Sequence, residues 1–279
     1  MKKIVVALLS MISFTAFSQS PSGKIVVKKG QHFMVESKSD GVITQEMMGQ
    51  SMEMTLGSNT VISTEIKDVK NNNYTISQTL TSVKSTFSGM GQDKSFDSDK
   101  KEDMDSEAGA LYRDKFNVPK ELVITNEGVN ITTDTSKKAE GADPMAGMME
   151  MMSGGQDNVT GALFLVIPAG KKVGDTWADS TSNEGVKMKR TYTLNSIANK
   201  EASVTVNGVV DINKTMQVQG MDLNTVMTSK INSAVLVDVI TSVQKENKSV
   251  TDVTGTIDVM GQSVPITSKI NTLTTIKNL

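Results

Sequence analysis

Methionine is the residue type whose spacing most clearly suggests a binding surface. The 279-residue sequence contains 19 methionines. Four of them recur at i, i+3, i+4 and i+7, on one face of a predicted helix: Met145, Met148, Met149 and Met152. Met52 and Met54 share one face of a predicted strand. Because an unbranched thioether adapts its shape to an apolar partner, these six residues are candidate ligand-binding residues for a lipid acyl chain or an apolar peptide.

Two other interpretations of the methionines stay open. Methionine commonly fills gaps in a core, and the helix face would then simply dock on a sheet. Thioethers also bind Cu(I), which would make the stripe a soft-metal site. The functional prediction retained here is the apolar ligand, with no cofactor and no metal.

The ionisable residues do not form a recognisable catalytic motif. His32 is the single histidine, so a triad, a histidine metal centre or a histidine base would each depend on it. An acidic cluster covers residues 93–107, but Lys100 and Lys101 occupy its centre, which does not fit the ligand spacing of a calcium loop. The GxSxG, HExxH, Walker and GxGxxG motifs do not occur. We therefore expect a protein that is not an enzyme.

The methionine helix has predicted ends and a predicted environment. Asp143 and Pro144 suit its start, and Gly154 suits its end. A helix of about ten residues is marginal alone. It is therefore expected either to dock over a sheet or to lack order without a ligand, and residues 141–160 are predicted to form a Met/Gly-rich linker or lid helix.

Two related β halves, residues 19–140 and 161–279, are predicted on either side of this segment. The stretch from Gly30 to Phe33, followed by Asp40-Gly41-Val42, recurs 144 residues later as 174–177 and 184–186. Asp40-Gly41 and Glu184-Gly185 are expected to be turns. Four later positions recur at a separation of 128 residues: Ile66, Val69, Asn71 and Ile76. The lost 16 residues indicate one longer hairpin in the first half.

The predicted fold class is mainly β. Apolar and polar residues alternate with a period of two from Lys24 onward, which is typical of strands. Long antiparallel strands in two related halves would form a curved sheet, open barrel or sandwich, with one or two short helices. Within this pattern residues 97–116 are predicted to contain a short helix, and residues 162–167 and 235–244 are each predicted to form a strand.

The first residues and the composition suggest an address. Lys2-Lys3, the apolar run 4–17 and the small residues around Ser18 are typical of a cleavable signal peptide over residues 1–18. We expect export to the periplasm or the cell surface. The formal net charge of −2 provides no basic face for nucleic acid. The few scattered aromatic residues and the lack of a long apolar run predict that the chain is not an integral membrane protein.

Some short motifs resemble those of a known group of proteins. These are the leader ending in Phe17-Ser18-Gln19, the segment 172–177 after Pro168, and the long Thr/Ser-rich strands. Together they resemble an uncharacterised family of secreted, β-rich bacterial envelope proteins of unknown function, which implies no activity. The predicted architecture also resembles periplasmic open-barrel carriers of lipids and lipoproteins.

Two functions are consistent with these observations. The first is an exported, non-catalytic envelope protein that binds a lipid acyl chain or an apolar peptide on a concave sheet. The alternative is a structural or surface interaction protein without a ligand pocket. The sequence does not determine the oligomeric state.

Overall fold

The computed structural model describes residues 20–47, 49–89, 91–110, 112–132, 159–183, 185–218, 221–259 and 262–279. The predicted signal peptide and the predicted methionine helix lie outside the described residues.

The described residues contain eleven strands and three short helices. The strands are β1 (His32–Met47), β2 (Gln50–Lys70), β3 (Asn73–Gly89), β4 (Gln92–Asp97), β5 (Lys120–Thr125), β6 (Thr176–Asn183), β7 (Val186–Ala198), β8 (Glu201–Val218), β9 (Met221–Asp238), β10 (Gln244–Val259) and β11 (Gln262–Asn278). The helices are α1 (Lys101–Asp105), α2 (Glu107–Ala110) and α3 (Val159–Leu163).

All eleven strands belong to one antiparallel sheet. Its order is β4-β3-β2-β1-β11-β10-β9-β8-β7-β6, and β5 pairs with the first part of β3. β1 and β11 join the two halves, in a ladder that runs from Phe33 opposite Asn278 to Gln45 opposite Ile266. The mainly β prediction is confirmed, and strands of both halves share one open sheet with β4 and β6 at its ends.

The two faces of the sheet differ in burial. In β1 the alternate residues Phe33, Val35 and Ile43 are at most 3% exposed, whereas Lys38 and Asp40 on the opposite face are exposed. We call the face of Phe33 the inner face and the face of Asp40 the outer face. Because a shift of one residue would exchange the faces, this alternation fixes the strand register.

The apolar core lies at one end of the sheet. We call this the base end, where β1 begins and β2 ends, and we call the opposite end, with the turn at Gly49, the tip end. Two clusters of buried residues fill the inner face at the base, one around Ile66 and one around Leu194. Residues 22–27 and 161–167 lie across this end and contribute apolar side chains to it.

The run 162–167 is buried as predicted, but it is not a strand. α3 ends at Leu163, and the extended residues that follow make only an isolated bridge, between Phe164 and Val243. Phe164 packs in the first base cluster and Ile167 in the second. The run is apolar because it crosses the end of the sheet and covers both clusters, so burial alone did not identify a strand here.

The hydrogen bonds repeat between the two halves. The Gly30 amide donates to the Ile66 carbonyl at 2.8 Å, and the equivalent Gly174 amide donates to the Leu194 carbonyl at 2.8 Å. A β-bulge follows Ile66 in β2, and a β-bulge follows Leu194 in β7. Both following turns contain asparagines with φ of 52°, at positions 71 and 199. The repeat detected in the sequence is therefore a repeat of structure at the base end.

The predicted turn at Asp40-Gly41 is wrong. Both residues lie within β1, which is paired on both sides, whereas Gly185, with φ of +84°, lies in the β6–β7 turn. β1 has 16 residues where β6 has 8, and β2 has 21 where β7 has 13. The 16 extra residues thus lengthen both strands of one hairpin, and this pairing overrides the local turn signal.

Two further expectations need correction. The predicted strand 235–244 is two strands, because β9 ends at Asp238, whose carboxylate accepts the amides of Ile240 and Thr241 and stabilises a turn. The predicted single helix in 97–116 is divided into α1 and α2. Ser106 separates them, and its hydroxyl accepts the Gly109 amide at 3.2 Å.

Candidate binding face

The inner face at the tip end carries a second set of apolar side chains. One cluster consists of Ile43, Met54 and Ile266, and another consists of Ile212, Met227 and Val253. We call these the tip clusters. Ile257 packs against both of them, so they form one continuous apolar surface across neighbouring strands.

The tip clusters differ from the base in what covers them. At the base, residues 22–27 and 161–167 lie over the inner face, but the members of the tip clusters are all strand residues. Within the described part of the chain, no loop or helix contributes a side chain to them. An apolar face of this kind can accept an apolar partner.

A band of hydroxyl side chains separates the base from the tip clusters near β1 and β11. The Ser37 and Thr274 hydroxyls are 2.9 Å apart, and the Ser39 and Thr272 hydroxyls are also 2.9 Å apart. We call these four residues the hydroxyl band. Cross-strand pairing of this kind satisfies the hydroxyl groups without placing a charge on the inner face.

A charged group lies on the same face near the β6 end. Arg190 donates from Nε and Nη2 to the two carboxylate oxygens of Asp179, both at 2.9 Å. The Tyr192 hydroxyl donates to the same carboxylate at 2.8 Å, and the Trp177 and Tyr192 rings stack with centroids 5.1 Å apart. We call these four residues the arginine network.

Burial and hydrogen bonding set the ionisation of the arginine network. Burial opposes the charge of Arg190, but the hydrogen bond to Asp179 raises the pKa of its guanidinium above the usual value. Burial, with a smaller contribution from Asp179, raises the pKa of Tyr192. The guanidinium is therefore charged and the Tyr192 phenol is neutral at physiological pH.

Sequence reasoning missed the arginine network, although a signal was present. Asp179 and Arg190 are equally distant from the Glu184-Gly185 turn, as are Trp177 and Tyr192. An antiparallel hairpin about that turn places each pair directly opposite, as the register confirms.

The six methionines named from the sequence are placed only in part. Met54 is 4% exposed and belongs to the tip clusters, and the half-buried Met52 lies two residues further toward the tip on the same face. The other four lie outside the described residues: Met145, Met148, Met149 and Met152. Their role as ligand-binding residues stays a prediction.

His32 lies away from the binding face. It is on the outer face, with Nε2 3.9 Å from a carboxylate oxygen of Glu65, which also pairs with Lys67 at 2.8 Å. The Lys67 hydrogen bond is the main cause that lowers the pKa of Glu65. Among the described residues, no three His, Asp or Glu side chains are grouped so that they could hold a metal ion.

The tyrosines provide a test of this packing in solution. Burial raises the pKa of all three: Tyr74, Tyr112 and Tyr192. At pH of about 10, where free tyrosine is half ionised, the folded protein should show much less tyrosinate absorbance than the denatured chain. Since the unfolded state loses these protons first, stability should be retained below this pH and fall above it. Coincident titration curves in the folded and denatured states would contradict the packing.

Comparisons with known proteins add a family but no activity. No curated protein matches the sequence. A structure described as "Lipid-protein interactions in lipovitellin" is 16% identical, with a TM-score of 0.45, and the match covers 90% of this chain and 26% of that chain. Pseudomonas aeruginosa OpdQ is 4% identical, with a TM-score of 0.24, over 91% of this chain and 100% of that chain. Similarity at this level does not establish a common fold or function.

Two findings bear on the expectations from sequence. None of the helices in the described ranges is long and apolar enough to cross a membrane. The expected resemblance to a family of unknown function is confirmed for the segment that contains β6 to β9 and the whole arginine network: residues 158–243 match the model of DUF6263, a family of unknown function.

Proposed function

We propose that this chain is an exported, non-catalytic binding protein that holds an apolar chain, from a lipid or an apolar peptide, against the inner face of its sheet. The observation that carries the proposal is the position of the tip clusters. They are apolar, continuous through Ile257, and formed from strand residues alone within the described part of the chain.

The energetics favour an apolar chain at this position. Burying a methylene group contributes about 0.8 kcal/mol, so a chain of several methylenes laid along the tip clusters gains enough to offset its lost freedom. The flexible side chains of Met54 and Met227 can adjust to its path. The outer face is unsuitable because ionised side chains such as Lys38 and Asp40 are exposed there.

The predicted methionine helix fits this function as a lid. Its apolar stripe would cover a bound chain from the side opposite the sheet, and the glycines that flank it in the sequence would permit opening. In this proposal Met145, Met148, Met149 and Met152 form the upper wall of the binding space, and Met52 and Met54 form part of the lower wall.

Serine substitution on each face of the sheet tests the proposal. In one variant the half-buried inner-face residues Leu56, Phe87 and Ile257 become serine. In the matched control three exposed outer-face valines become serine: Val42, Val209 and Val226. Dodecanol binding, measured by equilibrium dialysis below its solubility limit, should weaken at least about tenfold in the inner-face variant because apolar contact is lost. The control should bind like the wild type.

Two results would overturn the proposal. Equal weakening by both variants would show that the inner face is not the binding surface. Failure of the wild type to bind any alkyl chain, under conditions in which its β circular dichroism is intact, would favour a structural protein without a pocket.

A further inference from the structure

The internal repeat provides a comparison for the arginine network. In the second half, three side-by-side inner-face positions on β6, β7 and β8 are occupied by Asp179, Arg190 and Gly208. We call them the charged row. Gly208 is buried, and a Cβ atom there would lie 3.6 Å from Cγ of Arg190, so the glycine leaves room beside the arginine.

The equivalent row in the first half is entirely apolar. At the same separations of 144 and 128 residues, β1, β2 and β3 carry Val35, Ile62 and Leu80, which are also directly opposite one another. Val35 is 3% exposed in the base core. The scaffold therefore accepts an apolar row at this position, and it does not need an ion pair to fold.

Placing an ion pair and a glycine there has a cost. An apolar pair of similar volume is often as stable as a partly buried ion pair or more stable, and a glycine in a strand packs no side chain. Where a sequence departs from what the fold itself favours, a functional reason is the first explanation to test. The charged row is such a departure, within one sheet and beside its own apolar counterpart.

The geometry of Arg190 shows what the row could bind. A guanidinium has two edges that can each take an oxyanion with two hydrogen bonds. Asp179 occupies the edge formed by Nε and Nη2, and Tyr192 holds that carboxylate in place. Nη1, on the second edge, has no hydrogen-bond partner among the described residues. Asp179 and Tyr192 thus act as positioning residues that orient this edge before a ligand binds.

The position of Arg190 matches the surface proposed to bind a chain. One step toward the tip along the inner face, about 7 Å away, Met188 lies opposite Val210, which packs against the second tip cluster. A polar head at Arg190 would therefore continue directly into a chain on the tip clusters.

We propose that the second edge of the Arg190 guanidinium binds the oxyanion head, carboxylate or phosphate, of a single-chain amphiphile whose alkyl chain lies on the tip clusters. This inference rests on the chain-binding function proposed above. It adds the class of ligand, since an uncharged chain would lack a partner for Arg190. Gly208 provides the space in which the head sits beside the arginine.

The test compares three ligands that share one alkyl chain: dodecanol, dodecanoate and dodecyl phosphate. The full-length protein should bind at least one of the two anions about tenfold or more tightly than dodecanol. The more tightly bound anion identifies the head as carboxylate or phosphate. Raising the ionic strength should weaken anion binding and leave dodecanol binding unchanged.

The repeat also supplies the matched variant. Asp179→Val with Arg190→Ile reproduces the first half's pair, so the double variant should fold with at least wild-type stability. It should bind all three ligands with nearly equal affinity, at the level of dodecanol. Arg190→Lys, which keeps the charge but loses the two-point edge, should retain only a small part of the anion preference.

The possible failures are distinguishable. Equal wild-type affinity for dodecanol and both anions, or an anion preference that survives in the double variant, would overturn the role of Arg190 while leaving chain binding intact. Binding of none of the three ligands by the wild type would overturn chain binding and this inference with it.

Discussion

Replacing Ile66 by alanine should lower the free energy of unfolding by about 2–5 kcal/mol, and replacing Leu194 by alanine should do the same. Both side chains are fully buried at equivalent positions of the repeat, one in each base cluster. The loss combines the transfer free energy of the removed methyl groups with the cavity that remains in a packed core.

One control and one distinction make this result informative. Val209→Ala removes a similar side chain from the outer face, where it is 39% exposed, and should cost no more than about 0.5 kcal/mol. Because β1 and β11 join the halves in one sheet, both core variants should shift a single unfolding transition in urea. Two transitions, each shifted by only one variant, would show that the halves unfold independently.

Much of the fold could be predicted from the sequence because its signals are local. Alternation with a period of two identified the strands, and the pair of glycines at 30 and 174 lies in the same backbone geometry in both halves. The positions Ile66 and Leu194, matched from sequence, precede the same bulge. Such features depend on a few neighbouring residues, which a sequence displays directly.

The errors arose where distant pairing decided the structure. Asp40-Gly41 has the composition of a turn, yet β2 and β11 pair with it on both sides and keep the strand extended. Residues 162–167 have the composition of a buried strand, but they cross the end of the sheet. In both cases the outcome depends on what the rest of the chain places beside the segment.

The binding face was predicted only in outline, for a similar reason. Met52 and Met54 were assigned to one face of a strand, and the structure places them on the inner face. The arginine network was missed because its four residues have no unusual spacing until the β6–β7 turn is used to pair them. A surface made of one residue from each of many strands leaves no compact motif in the sequence.

The fluorescence of the single tryptophan should report a chain bound on the inner face. Trp177 lies on that face, stacked on Tyr192 and one step from Arg190. Stearate that carries a nitroxide near its carboxyl group should quench most of the Trp177 emission, and the quenching should saturate. A nitroxide near the methyl end should quench less, because the chain leads away from Trp177 toward the tip.

The central claim, that an apolar chain occupies the inner face, is tested most directly by titrating the protein with these two labelled stearates. The account predicts saturable quenching of Trp177 that unlabelled dodecanoate reverses and that the inner-face serine variant loses, while the outer-face control retains it. Quenching that rises only linearly with concentration for both labels, as with a water-soluble nitroxide, would show collision without binding and would contradict the claim.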